Sequence, residues 1–183
     1  MDDDAPITTR EQARAWFQAM GCSHFHMMRE DPDRYAQYEA LAISKDTERR
    51  WQRAAFEDGL AALVSGAVVL DELWAAHASL EELLGALRER ELLARFVDAT
   101  DSLVTVAPDE TRILIAETIV GRGPDEEPGG PLGLANQLGD PATARRLAAL
   151  AKAFCDGSRA PEGGEELPAR RAAVLDRLAA LDG

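Results

Sequence analysis

Residues 108–120, with the sequence PDETRILIAETIV, indicate the fold class more clearly than any other segment. The proline and the two acidic residues, Asp109 and Glu110, are typical of the first turn of a helix, where carboxylates stabilise the positive end of the helix dipole. Apolar residues then cover most sides of the helix: Ile113, Leu114, Ile115, Ile119 and Val120. A helix that is apolar on most sides belongs in the interior of a domain. We therefore predict that this helix forms the centre of the core.

Capping patterns predict further helices on both sides of this segment. Four sites combine an N-cap residue with a capping-box glutamate or glutamine, or with proline at the first helical position: Thr9 to Gln12, Asp31-Pro32, Ser79 to Glu82 and Asp140-Pro141. No segment shows the alternation of apolar and polar residues that is typical of a half-buried strand. We predict an all-α fold, a compact bundle of about seven or eight helices, with a short HEAT-like helical solenoid as the alternative.

Residues 121–133 interrupt the helical pattern because they contain five glycines and three prolines. Such a cluster predicts a loop. It separates a main helical domain at residues 1–120, with an aromatic-rich first third, from C-terminal helices at residues 134–183, which we expect to pack on the same domain. The last helix is predicted to have the apolar side Ala172, Leu175, Leu178 and Leu181.

Charge and apolar content exclude several classes of protein. The chain has 33 acidic and 20 basic residues and a net charge of −13, whereas general nucleic-acid binders and proteins that dock on anionic membranes need a positive surface. No apolar run reaches the length of about 18 residues that a membrane span requires. The acidic start lacks the positive charge of a signal peptide, and the two distant cysteines, Cys22 and Cys155, favour reduced thiols. We predict a cytoplasmic protein without nucleic-acid or membrane partners.

Residues 22–28, with the sequence CSHFHMM, concentrate potential metal ligands. Cys22, His24 and His26 point to one side if the segment is extended, and Cys22 and His26 are neighbours if it is helical. Thiolate and imidazole ligands suit zinc or copper. One hypothesis is therefore a metal-binding protein or metalloenzyme that holds zinc or copper at these three residues. The competing interpretation is a turn that buries Phe25 and Met28 while the imidazoles hydrogen-bond to the backbone.

Aromatic residues are concentrated in the first third of the chain, where they alternate with arginines. Both residue types are enriched at recognition surfaces, and guanidinium groups bind carboxylates and phosphates. One interpretation is a surface for an acidic protein partner or an anionic small ligand, formed by Trp16, Tyr35, Tyr38, Arg49, Arg50, Trp51 and Arg53. The other is a small aromatic core that joins the first three helices, with the arginines in solvent.

Motifs of common catalytic sites are absent from the sequence, which has no Gly-x-Ser-x-Gly elbow, Walker phosphate loop or His-Glu-x-x-His helix. The catalytic residues and the oligomeric state stay open. The ratio of 18 arginines to two lysines is typical of a GC-rich bacterial genome. We therefore predict a small bacterial binding or adaptor protein that uses its N-terminal aromatic, arginine- and histidine-rich surface, with the metal-binding protein as the alternative.

Overall fold

The computed structural model describes residues 6–121, 130–157 and 166–181, which form ten α-helices and no strand. This confirms the predicted all-α class; the choice between a bundle and a solenoid stays a prediction. The helices are α1 (Arg10–Ala19), α2 (His24–Glu30), α3 (Pro32–Ala40), α4 (Lys45–Ser65), α5 (Leu73–Leu87), α6 (Arg90–Leu103), α7 (Asp109–Val120), α8 (Gly130–Gln137), α9 (Pro141–Gly157) and α10 (Glu166–Leu181). Within the described ranges, no helix has the length and apolar character to span a membrane.

The chain clusters into two compact units, an N-terminal unit at Met1–Asp58 and a C-terminal unit at Gly59–Gly183. In the N-terminal unit, the predicted capping box of α1 is confirmed, because the Thr9 hydroxyl accepts from the Gln12 backbone N–H and Gln12 Oε1 accepts from the Thr9 backbone N–H. The buried aromatic rings of Phe17 and Tyr38 stack with their centroids 5.8 Å apart. An aromatic core therefore joins α1 to α3.

The C-terminal unit has α7 at its centre, as the sequence predicts. Ile113, Ile115 and Ile119 are buried, and α7 packs against α5, α8, α9 and α10. On α9, the free thiol of Cys155 is fully buried, and this burial raises the pKa of Cys155. The helix that is apolar on most sides is thus surrounded by other helices, which removes its apolar surface from water.

Two of the ten helices in the described ranges are short and were not predicted. Helix α2 lies in a segment without a helical period, and α8 begins at Gly130, inside the predicted loop at residues 121–133. Gly130 has a φ of +66°, and a Cβ there would stand 2.4 Å from the Thr118 carbonyl oxygen. This glycine therefore serves the close approach of α8 to the end of α7. Residues 122–129 of the predicted loop lie outside the described residues.

The prediction that Ser79 begins a helix is wrong. Ser79 lies inside α5, and its hydroxyl donates to the Ala75 carbonyl at 3.0 Å. A serine within a helix often donates to the carbonyl four residues earlier. In the sequence alone, such a serine looks the same as a serine that caps a helix. The helix begins instead at Leu73, and it ends before Arg88, which has a left-handed φ of 54°.

The predicted apolar side of α10 is also partly wrong. Val174 is a buried side chain, whereas Ala172 is exposed and Leu175 and Leu178 are half-buried. The side chain of Leu181 lies outside the described part of the chain. Arg170 donates to Glu117 of α7 at 2.8 Å, and Arg177 donates to a backbone carbonyl at the end of α7. The inner face of α10 therefore combines one valine with two hydrogen-bonded arginines, so a search for apolar spacing alone does not find it.

Candidate functional site

A buried carboxylate organises the polar centre of the N-terminal unit. Glu48, in the first turn of α4, is only 6% exposed. Its Oε1 atom accepts from the Tyr38 hydroxyl and from His24 Nε2, both at 2.9 Å, and its Oε2 atom accepts from Lys45 Nζ at 3.1 Å. Burial alone would raise the pKa of Glu48, but the hydrogen bonds from Tyr38 and Lys45 and the nearby positive charges outweigh it and lower the pKa. Glu48 is therefore ionised at neutral pH.

His24 connects this carboxylate to a second phenol. Ser23 caps α2 by accepting from the His26 backbone N–H, which places His24 at the first position of the helix. Its Nε2 faces the ionised Glu48, and its Nδ1 lies 3.1 Å from the Tyr35 hydroxyl. Because a carboxylate only accepts, the neutral ring carries its proton on Nε2, and the Tyr35 hydroxyl, which also hydrogen-bonds to Glu39, lies within hydrogen-bond distance of Nδ1. The result is a carboxylate–imidazole–phenol chain that links α2, α3 and α4.

This chain has the order of groups found in nucleophilic triads, in which a carboxylate orients an imidazole that activates a hydroxyl. Activation requires a lowered pKa of the nucleophile or a base that removes its proton. Here burial and the neighbouring Glu39 raise the pKa of Tyr35, burial and the bond to Glu48 raise the pKa of Tyr38, and burial raises the pKa of Cys22 to about 11. All three shifts keep the proton on the side chain, so the cluster is suited to holding helices together.

The three predicted metal ligands lie at and near the start of α2. Cys22 is buried with a φ of 57°, and its carbonyl accepts from Gln52 Nε2 at 3.4 Å. His24 makes the two side-chain bonds described above, and His26 is half-buried on α2. The described part of the chain contains no group of three histidine, cysteine or acidic side chains placed to hold a metal ion. Binding of zinc or copper by Cys22, His24 and His26 stays a prediction, which elemental analysis of the purified protein tests.

The seven residues of the predicted recognition surface separate into core and surface residues. Trp16 and Tyr38 are buried, and their ring centroids lie 6.3 Å apart. The other two aromatic residues, Tyr35 and Trp51, are half-buried. The three basic residues are exposed: Arg49, Arg50 and Arg53. The aromatic core interpretation describes Trp16 and Tyr38, and a contact surface formed by the other five residues stays a prediction.

Exposed apolar side chains stand on α2, where sequence reasoning expected burial. Phe25 is 60% exposed and Met28 is 51% exposed, whereas the neighbouring Met27 is fully buried. The expected turn that buries Phe25 and Met28 is therefore wrong. Ser23 was the available signal, because a helix that begins after it places Phe25 and Met28 three residues apart on one side. The guanidinium of Arg29 lies 5.6 Å from the centre of the Phe25 ring.

Comparison with known proteins finds no match: no family model, curated protein or solved structure is significantly similar to this chain. The function is therefore argued from the two features of the N-terminal unit. One is the network around Glu48, which fixes the position of α2. The other is the exposed side of α2, with Phe25, Met28 and Arg29, which we call the α2 face.

Proposed function

We propose that this chain is a small bacterial binding or adaptor protein and that the α2 face is its contact surface for a partner protein. The observation that carries the proposal is the exposure of two large apolar side chains, Phe25 and Met28, next to each other on a helix of seven residues. Single exposed apolar residues are ordinary on protein surfaces. Adjacent large ones that a monomer leaves in water are typical of interaction sites.

The anchoring of α2 supports the proposal, because a rigid surface loses less conformational entropy when it binds. Two attachments hold the helix. His24 bonds to Glu48 and Tyr35 at one end, and Met27 is buried on the inner side. The exposed side chains therefore stand on a fixed backbone.

The chemistry of the α2 face favours a protein partner that offers apolar side chains. Phenylalanine, methionine and arginine are the residue types enriched in the centres of protein interfaces. Arg29 covers one edge of the apolar pair and is already bonded to Glu30 Oε1. Sites for small ligands enclose most of the ligand surface, whereas Phe25 and Met28 are each more than half exposed. A protein that offers apolar side chains is therefore the favoured partner over an anionic small molecule.

Photo-crosslinking from the α2 face tests the proposal. We would replace Phe25 by p-benzoylphenylalanine, which keeps the aromatic ring, and irradiate the protein in its native cells. The expected result is one dominant adduct with another protein, which disappears when Met28→Asp is added. The matched control carries the same photo-residue at Val64, an exposed apolar position of the C-terminal unit, and should give no such adduct.

Two results would contradict this function. The first is the same set of adducts from positions 25 and 64, which would mean nonspecific labelling. The second is an adduct of Phe25 only with a second copy of this chain, since self-association would explain the exposed pair without any other partner.

A further inference from the structure

A groove of about 430 Å³ lies on the C-terminal unit, lined by residues of α8, α9 and α10. Helices α8 and α9 are joined by only three residues, so they form a helical hairpin. Alanines of α9, among them Ala148, face the groove, and their short side chains leave a space beside Leu132 of α8 and Leu178 of α10. The middle of the groove is therefore apolar.

The two ends of the groove differ in charge. At one end, Lys152 Nζ donates to Asp156 Oδ2 at 2.5 Å, so its charge is compensated within α9. At the other end lies Arg145, two helical turns earlier on the same face. Arg145 has no carboxylate partner among the described residues. The side-chain amide of Asn136, which also lines the groove, adds a hydrogen-bond donor.

We propose that this groove binds a small carboxylate with an apolar chain, such as a medium-chain fatty acid. The carboxylate would bond to Arg145 and Asn136, and the chain would lie against Leu132, Ala148 and Leu178. Guanidinium groups bind carboxylates through two parallel hydrogen bonds, and the groove volume falls within the range of about 300–1,000 Å³ that small-ligand sites have. This inference concerns the C-terminal unit and does not rest on the function proposed for the α2 face.

The net charge of the protein explains why the ligand needs an apolar chain as well as a carboxylate. With a net charge of −13, the protein repels anions at long range. A purely ionic ligand such as inorganic phosphate gains only the contact with Arg145 and Asn136. A carboxylate with an apolar chain also removes apolar surface from water, which contributes about 25 cal/mol for each Å² buried.

Calorimetric titration of the full chain with sodium octanoate tests the proposal. We expect saturable binding of one octanoate per chain, and binding of 1-octanol that is weaker by about tenfold, because the alcohol lacks the charge. Arg145→Gln should weaken octanoate binding by the same factor and leave octanol binding unchanged. Ala148→Phe, which fills the groove, should abolish the binding of both.

Arg146→Gln is the matched control, because it removes the same charge from the neighbouring residue of α9. Arg146 Nη2 bonds to Asp98 Oδ1 at 2.8 Å, and its side chain does not line this groove. Octanoate affinity should equal that of the wild type in this variant. The proposal is overturned by equal losses in Arg145→Gln and Arg146→Gln, by equal affinity for octanol and octanoate, or by the absence of saturable octanoate binding. Because Arg145 is exposed, its replacement should leave the fold intact, which circular dichroism verifies.

Discussion

His77 is a fully buried ionisable residue of α5, and its ring lies 4.7 Å from the ring of Phe96. The Thr100 hydroxyl donates to the Phe96 carbonyl at 2.8 Å, so the Thr100 oxygen accepts from His77 Nε2 at 3.1 Å. This bond fixes the proton on Nε2, and Nδ1 has no hydrogen-bond partner among the described residues. Burial lowers the pKa of His77 to about 3, so the ring is neutral at physiological pH.

The lowered pKa makes the stability of the protein depend on pH. Between pH 6.5 and about 3, the unfolded chain binds a proton at residue 77 that the folded chain does not bind. Stability is therefore present above pH 6.5 and falls as the pH falls, by up to about 1.4 kcal/mol per pH unit. We expect the wild type to lose about 2 kcal/mol more unfolding free energy between pH 7 and pH 5 than His77→Leu, measured by urea denaturation.

His26→Gln is the control, because His26 is half-buried on α2 and has other surroundings. The pH slope of this variant should be steeper than that of His77→Leu, because residue 77 is still a histidine. At pH 7, His77→Leu should change stability little, since the Thr100 hydroxyl keeps its bond to Phe96 and the unpartnered Nδ1 is removed. Parallel slopes for the wild type and His77→Leu would show that residue 77 binds its proton equally in both states.

At the scale of helices, hydrogen bonds at helix ends add to the apolar packing of the C-terminal unit. The Arg112 guanidinium of α7 donates to the Val104 carbonyl after α6 and to the Phe154 carbonyl of α9. The last carbonyls of a helix have no partner within it, so a guanidinium group satisfies them and interacts favourably with the helix dipole. Gly157 makes room for this arginine, because a Cβ at position 157 would stand 1.8 Å from Arg112 Nη2.

The entry into α8 gives a test at this scale. Gly130→Ala would force a side chain into a left-handed backbone conformation and against three backbone atoms within 3 Å, which cannot move aside as a flexible side chain would. We expect a loss of at least about 2 kcal/mol of unfolding free energy. Urea denaturation measures it.

Gly85→Ala is the matched control within α5, where nothing lies within 4 Å of the added Cβ. It should stabilise the protein by about 0.5–1 kcal/mol, because alanine loses less backbone entropy in a helix than glycine does. If both alanine variants were equally stable, the contact between Gly130 and the end of α7 would have no energetic role.

For the molecule as a whole, the sequence predicts the features that depend on residues close together in the chain. The cap at Thr9 and the apolar α7 follow from side chains within one turn of each other, and the structure confirms both. The sequence does not predict α8, because Gly130 looks like a loop residue there. Only the structure shows that this position requires glycine for its contact with the end of α7. The same limit applies to the polar cluster, since Glu48 meets His24 across 24 residues of chain. Glutamate is mostly exposed in proteins, and here the packed helices bury it.

The alkylation rates of the two buried thiols report on the local opening of the protein. Cys22 belongs to one unit and Cys155 to the other, and both side chains are shielded and protonated. Alkylation of Cys22 by iodoacetamide at neutral pH should be slower by at least about a hundredfold than in the urea-unfolded chain, because so little thiolate is present. Peptide mass spectrometry distinguishes labelled Cys22 from labelled Cys155. The labelling rate of each cysteine therefore reports how often its own unit opens. Labelling in the native state as fast as in urea would mean that the thiols are accessible. If native labelling is slow, burial alone protects both cysteines from electrophiles that modify exposed thiols, without a disulfide.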